Sequence, residues 1–356
     1  MSKQAAPCRL PTTIIRCLSE RCHEHYRAGN PPQLGESLTN QDKSKTDCMP
    51  ETDSKINVRP MSVHIGAEIE DIDLTQSLST ETISCIREAL LKWKVVFFRD
   101  QHLDHAQHVQ FARHFGDLTP GHVVFGHHET YPEIYSVGKF RTATLNTAPP
   151  ASRPWSGWHT DITAAINPPA ASILRGDVVP PYGGDTQWTN LVLAYASLSP
   201  TFREMLDNLR AVHRFEVKAS ADSASVKEFE ARVKERLIVS EHPLVTIHPE
   251  TGERVLYCSP SYIKSITGLS PRESQQIMEL LWEHAVRPEF TVRFRWGKGD
   301  IAFWDNRATA HLAPSDIYQT DFDRQFYRVT LLGTVPTGTD GSLSQPIEGE
   351  PIEAVS

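Results

Sequence analysis

"WGKGDIAFWDNRATAHLAPSDIYQTDFDRQFYRVTLLG", residues 296–333, is the stretch that decides the fold. It holds two short runs, DIAFWDN and FYRVTLLG, rich in β-branched and aromatic residues, with a polar segment between them. Such residues fit the pleated, half-buried surface of a strand. The same pattern recurs outward from it. "ASILRGDVV", "PLVTIHPETGERVLYCS" and "EFTVRFRW" read as strands, and "HPETGERV" as a hairpin connection. Nearer the start, "KVVFF" reads as a buried strand and "SVHIGAEIEDIDL" as a strand bulged at its glycine.

The helices are few. In "STETISCIREALLKW", Ile83, Ile86, Leu90 and Trp93 recur at three and four residues, and Ser79 can cap. "LDHAQHVQFARHFGD" reads as a second helix, with Asp104 as cap and Gly116 as stop. Ser199-Pro200 and Ser270-Pro271 open two more, the latter with Glu273 in a capping box. Many short strands with a few helices predict a mainly β fold with flanking helices, a sandwich or jelly roll.

The chain of 356 residues is 39% hydrophobic and 22% charged, the composition of a globular protein able to bury its own core. Its formal charge of −8 argues against nucleic acid or an anionic membrane as partner. No apolar run is long enough to span a bilayer. Residues 1–56 are polar and rich in Pro and Gly, and read as a weakly ordered tail before a domain at 57–340 and a C-terminal tail at 341–356. Four of the six cysteines fall in the first 48 residues with no secretory signal before them, which predicts free thiols in a reducing, cytoplasmic setting. Cys17 and Cys22 with His23 and His25 fit no standard zinc spacing. Glu20 and Glu24 weaken a mitochondrial presequence reading.

The chemistry begins at "GWHTDIT", residues 157–163. On a strand, His159 and Asp161 point to one face and together offer an imidazole and a carboxylate to one cation. His311, between the two C-terminal strands, supplies a third donor. Two His and one carboxylate with open positions suit ferrous iron and oxygen chemistry, whereas zinc more often closes its shell with Cys or a third His. Arg324 and Arg328 share a face if the segment is extended. Arg suits bidentate recognition of a carboxylate or sulfonate. The plainer alternative pairs them with Asp321 or Asp323 at the surface. Trp158, Trp188 and Trp304 read as core, His127 and His128 as solvated, Gly183 and Gly184 as a turn, and His102, His105, His108 and His114 as an exposed helix face.

The motifs "VVFFRDQ", "FARHFGDLTPGH", "WHTDITAAINPPAASILR", "YGGDTQWTN", "HPETGERVLY", "WDNRATAHLA" and "RQFYRVTLLG" occur in this order over residues 58–336. In them the chain resembles the taurine dioxygenase family of iron(II)- and 2-oxoglutarate-dependent oxygenases, including its alkylsulfatase-type members. The resemblance implies a double-stranded β-helix (jelly roll), Fe(2+) held by His159, Asp161 and His311, and 2-oxoglutarate and O2 as cosubstrates. It implies that Thr186 and Arg324 hold the distal carboxylate of 2-oxoglutarate, and that Arg328 and His122 meet the anionic group of the primary substrate. Phe125 stands where the taurine enzymes have a Tyr, and Trp155 where they have an Asn, which turns the expectation from taurine toward a small anion with an alkyl or aromatic chain. The retained Asp161 implies hydroxylation, since the related halogenases replace it by a small residue. The resemblance further implies an alkyl sulfonate or sulfate ester as substrate, with sulfite or sulfate and an aldehyde as products, and a dimer or tetramer. The alternatives are a carboxylate (aryloxyacid) or secondary-metabolite substrate, or a silent protein that binds metal and 2-oxoglutarate.

Overall fold

The computed structural model describes residues 56–138, 153–215 and 237–356. The expected tail, with Cys17 and Cys22, lies outside them except for Ile56. A seven-stranded sheet runs in the order Asn57–Pro60, Ala67–Glu70, Val95–Phe98, Ile301–Asp305, Ala171–Val178, Gln325–Leu331 and Tyr135–Gly138. A three-stranded sheet, Thr291–Phe294, Thr186–Asn190 and Thr309–Leu312, packs against it to make the jelly roll.

Period-two alternation sorts the large sheet into two faces. Val95, Phe97, Leu174, Ala302, Trp304 and Phe326 meet Trp188 and Phe294 of the small sheet. Phe97 stacks on Phe294 at 4.1 Å between ring centroids, and Trp188 meets Trp304 at 5.6 Å. Val96, Phe98, Ile173, Ile301, Phe303 and Val329 point the other way, under the helices Thr80–Trp93 and His105–Arg113. Val95–Phe98, VVFF, is apolar throughout because both its faces are covered.

Caps fall where the sequence places them. Ser79 accepts from the Thr82 amide, Asp104 forms a capping box with Gln107, and Ser270 forms one with Glu273. Lys94 ends the first helix in a left-handed conformation at φ 66°. The hairpin Val245–Ile247 with Arg254–Leu256 closes through Gly252 at φ 70°. Gly183 and Gly184 form a turn, both at positive φ. Cys85 and Cys258 are free, and no helix among the described residues is long and apolar enough to cross a membrane.

Four expectations need correction. "SVHIGAEIEDIDL" is not one bulged strand: Asn57–Pro60 pairs back on Ala67–Glu70, and Gly66 at φ 84° ends the turn. A Cβ there would lie 3.1 Å from Val292. His108 is fully buried, because a helix lying on a sheet must turn one side inward, while His102 stays out and bonds Asp100. Residues 341–356 are no tail: Gln345–Glu348 pairs with Val239–Pro243, and Ile352 is buried in one cluster with Ile162 and Phe215. Alternation in this segment is too short to read as a strand; its partner supplies the order. The fourth, the strand at His159–Asp161, is taken up with the site.

Three buried imidazoles outside the site contribute to the acid limit of the fold. Burial first pushes His108 down to about 3 and His242 to about 4, and pushes His213 well below its ordinary value. Their folded pKa values are depressed, so as pH falls below about 6.5 the unfolded chain binds protons the native protein refuses. Their share of stability is therefore present above that pH and lost on the way down to about 3, with a limiting slope of about 4 kcal/mol per pH unit from these three protons alone. Urea unfolding midpoints should fall steeply between pH 6.5 and 4.5; a flat midpoint across that range contradicts the account. The paired carboxylates Asp161 and Asp305, held below the usual range, add their loss only under about pH 4.

Candidate active site

His311 lies in the strand Thr309–Leu312, opposite Trp188. His159 is not in a strand; it makes one antiparallel bridge with His311. Each donates its amide to the other's carbonyl, at 2.9 and 2.7 Å, which sets the two imidazoles side by side with centroids 4.2 Å apart. The chain then turns, with Ile162 at φ 45°. Thr160 anchors the turn: its hydroxyl donates to the Thr309 carbonyl at 2.8 Å and its amide to Ser259 Oγ at 3.1 Å. Asp161 is thus brought to the imidazoles by a bridge and a turn, not by strand parity.

Asp161 Oδ1 lies 4.0 Å from Nε2 of His159 and 4.0 Å from Nε2 of His311. His159 Nδ1 is 3.0 Å from the Gly157 carbonyl, which can only accept, so that nitrogen carries the proton and Nε2 keeps its lone pair. One donor atom from each residue lies within 4.8 Å of the others, and this is the one such set among the described residues. Two imidazoles and a carboxylate, buried on one side and open on another, fit a ferrous ion that keeps free positions.

Charge is concentrated here. Asp161 is 2% exposed, and Arg328 Nη1 meets its Oδ1 at 2.5 Å. Burial works to raise the Asp161 carboxyl, but Arg328, then His311 and His159, outweigh it and hold it well below the usual carboxylate range. Burial and then His159 push the His311 imidazole well below its ordinary value, leaving it neutral and able to ligate. Arg328 reaches inward because Phe326, Arg328 and Thr330 share the inner face of Gln325–Leu331. The surface pairing with Asp321 or Asp323 is not formed by either Arg among the described residues.

Arg324 precedes that strand, where a register shift falls between Gln325 and Phe326. Its guanidinium lies 3.9 Å over the Phe326 ring, and burial lowers it to about 10. Thr186 is buried at the start of the strand that pairs with His311's, and accepts from Trp296 Nε1 at 3.0 Å. Trp296 in turn meets Phe326 edge-on at 4.8 Å, so Thr186 and Arg324 line one wall. Nε of Arg324 and Nε of Arg328 are buried without a hydrogen-bond partner among the described residues. A buried donor left unpaired costs about 1–3 kcal/mol, which an anion seated against it recovers. Two such nitrogens, the one on Arg328 beside Asp161, fit a dicarboxylate and a second anion.

His122 is 7% exposed. Its Nδ1 accepts from the Val124 and Phe125 amides, both at 3.1 Å, so Nε2 carries the proton. Burial, then Arg328, pushes it down to about 3, leaving a neutral donor. Aromatic rings surround it: Phe125 at 4.2 Å, Tyr135 at 5.1 Å and Phe215 at 6.1 Å, with Tyr262 6.0 Å beyond Phe215. Arg328 lies 5.3 Å over the Tyr135 ring. Trp155 is elsewhere, half-buried against Trp282 at 6.2 Å and packed with Leu312 in a different cluster. Trp158, Trp188 and Trp304 are core, though Trp304 also lies 4.9 Å from His311. Tyr135, Phe215 and Tyr262 carry no sequence signal for this wall, because only the fold brings three distant segments together.

The profile of the family "Taurine catabolism dioxygenase TauD, TfdA family" matches residues 57–330. The chain is 39% identical over 297 residues to an alpha-ketoglutarate-dependent sulfate ester dioxygenase of Pseudomonas putida, covering 82% of this chain and 94% of that one. It is 35% identical to an alkylsulfatase of Acinetobacter baylyi, covering 81% and 88%. A crystal structure of a taurine dioxygenase from Burkholderia xenovorans superposes with a TM-score of 0.73 at 57% identity, covering 83% of this chain and 96% of that one.

Proposed function

The chain belongs to the taurine catabolism dioxygenase TauD, TfdA family, and from that premise we propose that this iron(II)- and 2-oxoglutarate-dependent dioxygenase hydroxylates the carbon that bears a sulfate ester. The observation that carries the substrate is the wall around Arg328: a buried guanidinium with a partnerless Nε, a neutral His122 as second donor, and aromatic rings behind them. A sulfate oxygen set answers both donors, and an alkyl chain packs on Phe125, Tyr135 and Phe215 better than an ammonium group does. The sulfate ester dioxygenase and alkylsulfatase relatives support the same class.

His159, Asp161 and His311 would hold the metal, with Nε2, Oδ1 and Nε2 turned toward one another. Thr186 and Arg324 bind the distal carboxylate of 2-oxoglutarate. Arg328 and His122 would fix the sulfate and so orient the carbon next to it toward a metal held by the three ligands. The aromatic wall and Ile162 exclude water from the reacting carbon. Iron(II) with 2-oxoglutarate and O2 supplies the oxidant: 2-oxoglutarate loses CO2 to become succinate, one oxygen atom going to succinate and one into the substrate C–H bond. The resulting carbon carries both OH and sulfate. The hydroxyl proton leaves, C=O forms, the carbon–sulfate bond breaks, and an aldehyde and sulfate depart.

A panel of alkyl sulfates, alkyl sulfonates and aryloxyacids tests this, with succinate, sulfate and sulfite all measured. The highest kcat/KM is expected for a medium-chain alkyl sulfate with one sulfate released per succinate. Preference for an aryloxyacid, with neither sulfate nor sulfite released, overturns the substrate assignment.

A further inference from the structure

Asp161 has two carboxylate oxygens, and only one of them faces the imidazoles. The other, Oδ2, accepts from the Ser172 hydroxyl at 2.6 Å. Ser172 Oγ in turn accepts from Asn306 Nδ2 at 2.8 Å, and Asn306 Oδ1 accepts from Trp304 Nε1 at 2.9 Å. All four residues are buried, none more than 2% exposed. We propose that Ser172 and Asn306 are positioning residues whose hydrogen-bond chain, running one way from Trp304, decides which oxygen of Asp161 meets the metal. This rests on the ligand assignment above.

The direction of the chain follows from elementary donor chemistry. An indole N–H can only donate. Asn306 must therefore turn its oxygen to Trp304 and its amide nitrogen to Ser172. Ser172 Oγ then accepts, so its one proton is free to go only to Asp161 Oδ2. With Oδ2 committed to Ser172, Oδ1, which also accepts from Arg328 Nη1 at 2.5 Å, is the oxygen turned toward the two imidazoles and so toward a metal. A carboxylate held this way ligates through one atom. Released, it can rotate and chelate through both, taking a coordination position that a cosubstrate needs.

The backbone places the chain deliberately close. Ser172 pairs in register with Trp304 on one side and Thr330 on the other, on the inner face of the large sheet. Asn306 follows directly after the strand Ile301–Asp305, with its amide donating to the Ala170 carbonyl at 2.9 Å. Its side chain is thus fixed at both ends of the amide and at the backbone.

Ser172→Ala deletes the last donor. Asn306→Asp keeps the shape but reverses the polarity: a carboxylate oxygen now competes for the Ser172 proton. Both variants are loaded with Co(II) in the full-length protein, and metal Kd and the visible ligand-field spectrum are measured beside wild type and Asp161→Ala, with near-UV circular dichroism reporting the fold. Roughly tenfold to a hundredfold weaker metal binding, or a spectrum shifted to a different coordination number, is expected in both, as for altered partners of metal ligands generally. If Asn306→Asp fails to fold, Ser172→Ala decides alone, since it removes a single oxygen. Wild-type Kd and spectrum in the folded variants overturn the inference. Wild-type binding in Asp161→Ala overturns the ligand assignment instead, so the two failures are told apart.

Discussion

Asp161→Ala is expected to lose metal binding and turnover together, and to make the metal-free protein less stable. The first loss exceeds the ~10–100-fold that a disturbed partner of a ligand costs, because a ligand itself is removed. The second comes from Arg328. Its guanidinium is 10% exposed and its Nη1 rests 2.5 Å from Asp161 Oδ1. Without the carboxylate it is a buried cation facing two imidazoles, and such broken pairs cost about 3–5 kcal/mol. Titration with Mn(II) and urea unfolding in the absence of metal measure the two effects separately. Wild-type Mn(II) affinity removes Asp161 from the ligand set. Unchanged urea stability shows that Arg328 finds another partner when the carboxylate is gone.

How much of this was legible in the sequence depends on the range of the forces involved. Caps and strand cores are local, so Ser79, Asp104, Ser270 and the run Val95–Phe98 announce themselves. The three ligands are also visible, because His-x-Asp and a late His between strands form a pattern of residue types. What holds them together is less visible. Strand parity suggested that His159 and Asp161 share a face, yet the chain there is a single bridge and a turn. His159 and Asp161 do meet His311 within 4.8 Å, but through that bridge and turn rather than through strand parity. Trp155 shows the opposite case: its position relative to His159 suggested substrate, and its apolar surface instead found Trp282 on a helix more than a hundred residues away. Ser172 and Asn306 lay inside quoted motifs without a sign of their role, since a hydrogen bond across 134 positions leaves no local trace. His108 was misread because polarity alone does not say which side of a helix meets the sheet.

Arg328→Ala is expected to raise KM for a sulfate ester by roughly 30-fold to several thousandfold, the ~2–5 kcal/mol cost of truncating one member of a buried charge pair. Arg324→Ala should leave that KM near wild type and raise KM for 2-oxoglutarate instead, because its guanidinium lies over Phe326 and against Gly184, whereas Arg328 is the cation that acts on His122. The split matters because both variants remove one buried positive charge from the same barrel. A general loss of fold or field would move both constants in both variants. Arg328→Ala carries a further signature. Arg328 is the chief influence holding the Asp161 carboxyl down, and burial opposes it. With the guanidinium gone, burial is less opposed and the carboxyl pKa rises, so metal affinity should fall more at pH 6 than at pH 8. At pH 8 the carboxylate is ionised and no longer shared with a cation, so Mn(II) binding there should not weaken. A sulfate ester KM unchanged in Arg328→Ala would remove this residue from the substrate site, and Mn(II) binding equally weakened at pH 6 and pH 8 would mean that it supports the ligands by packing rather than by charge.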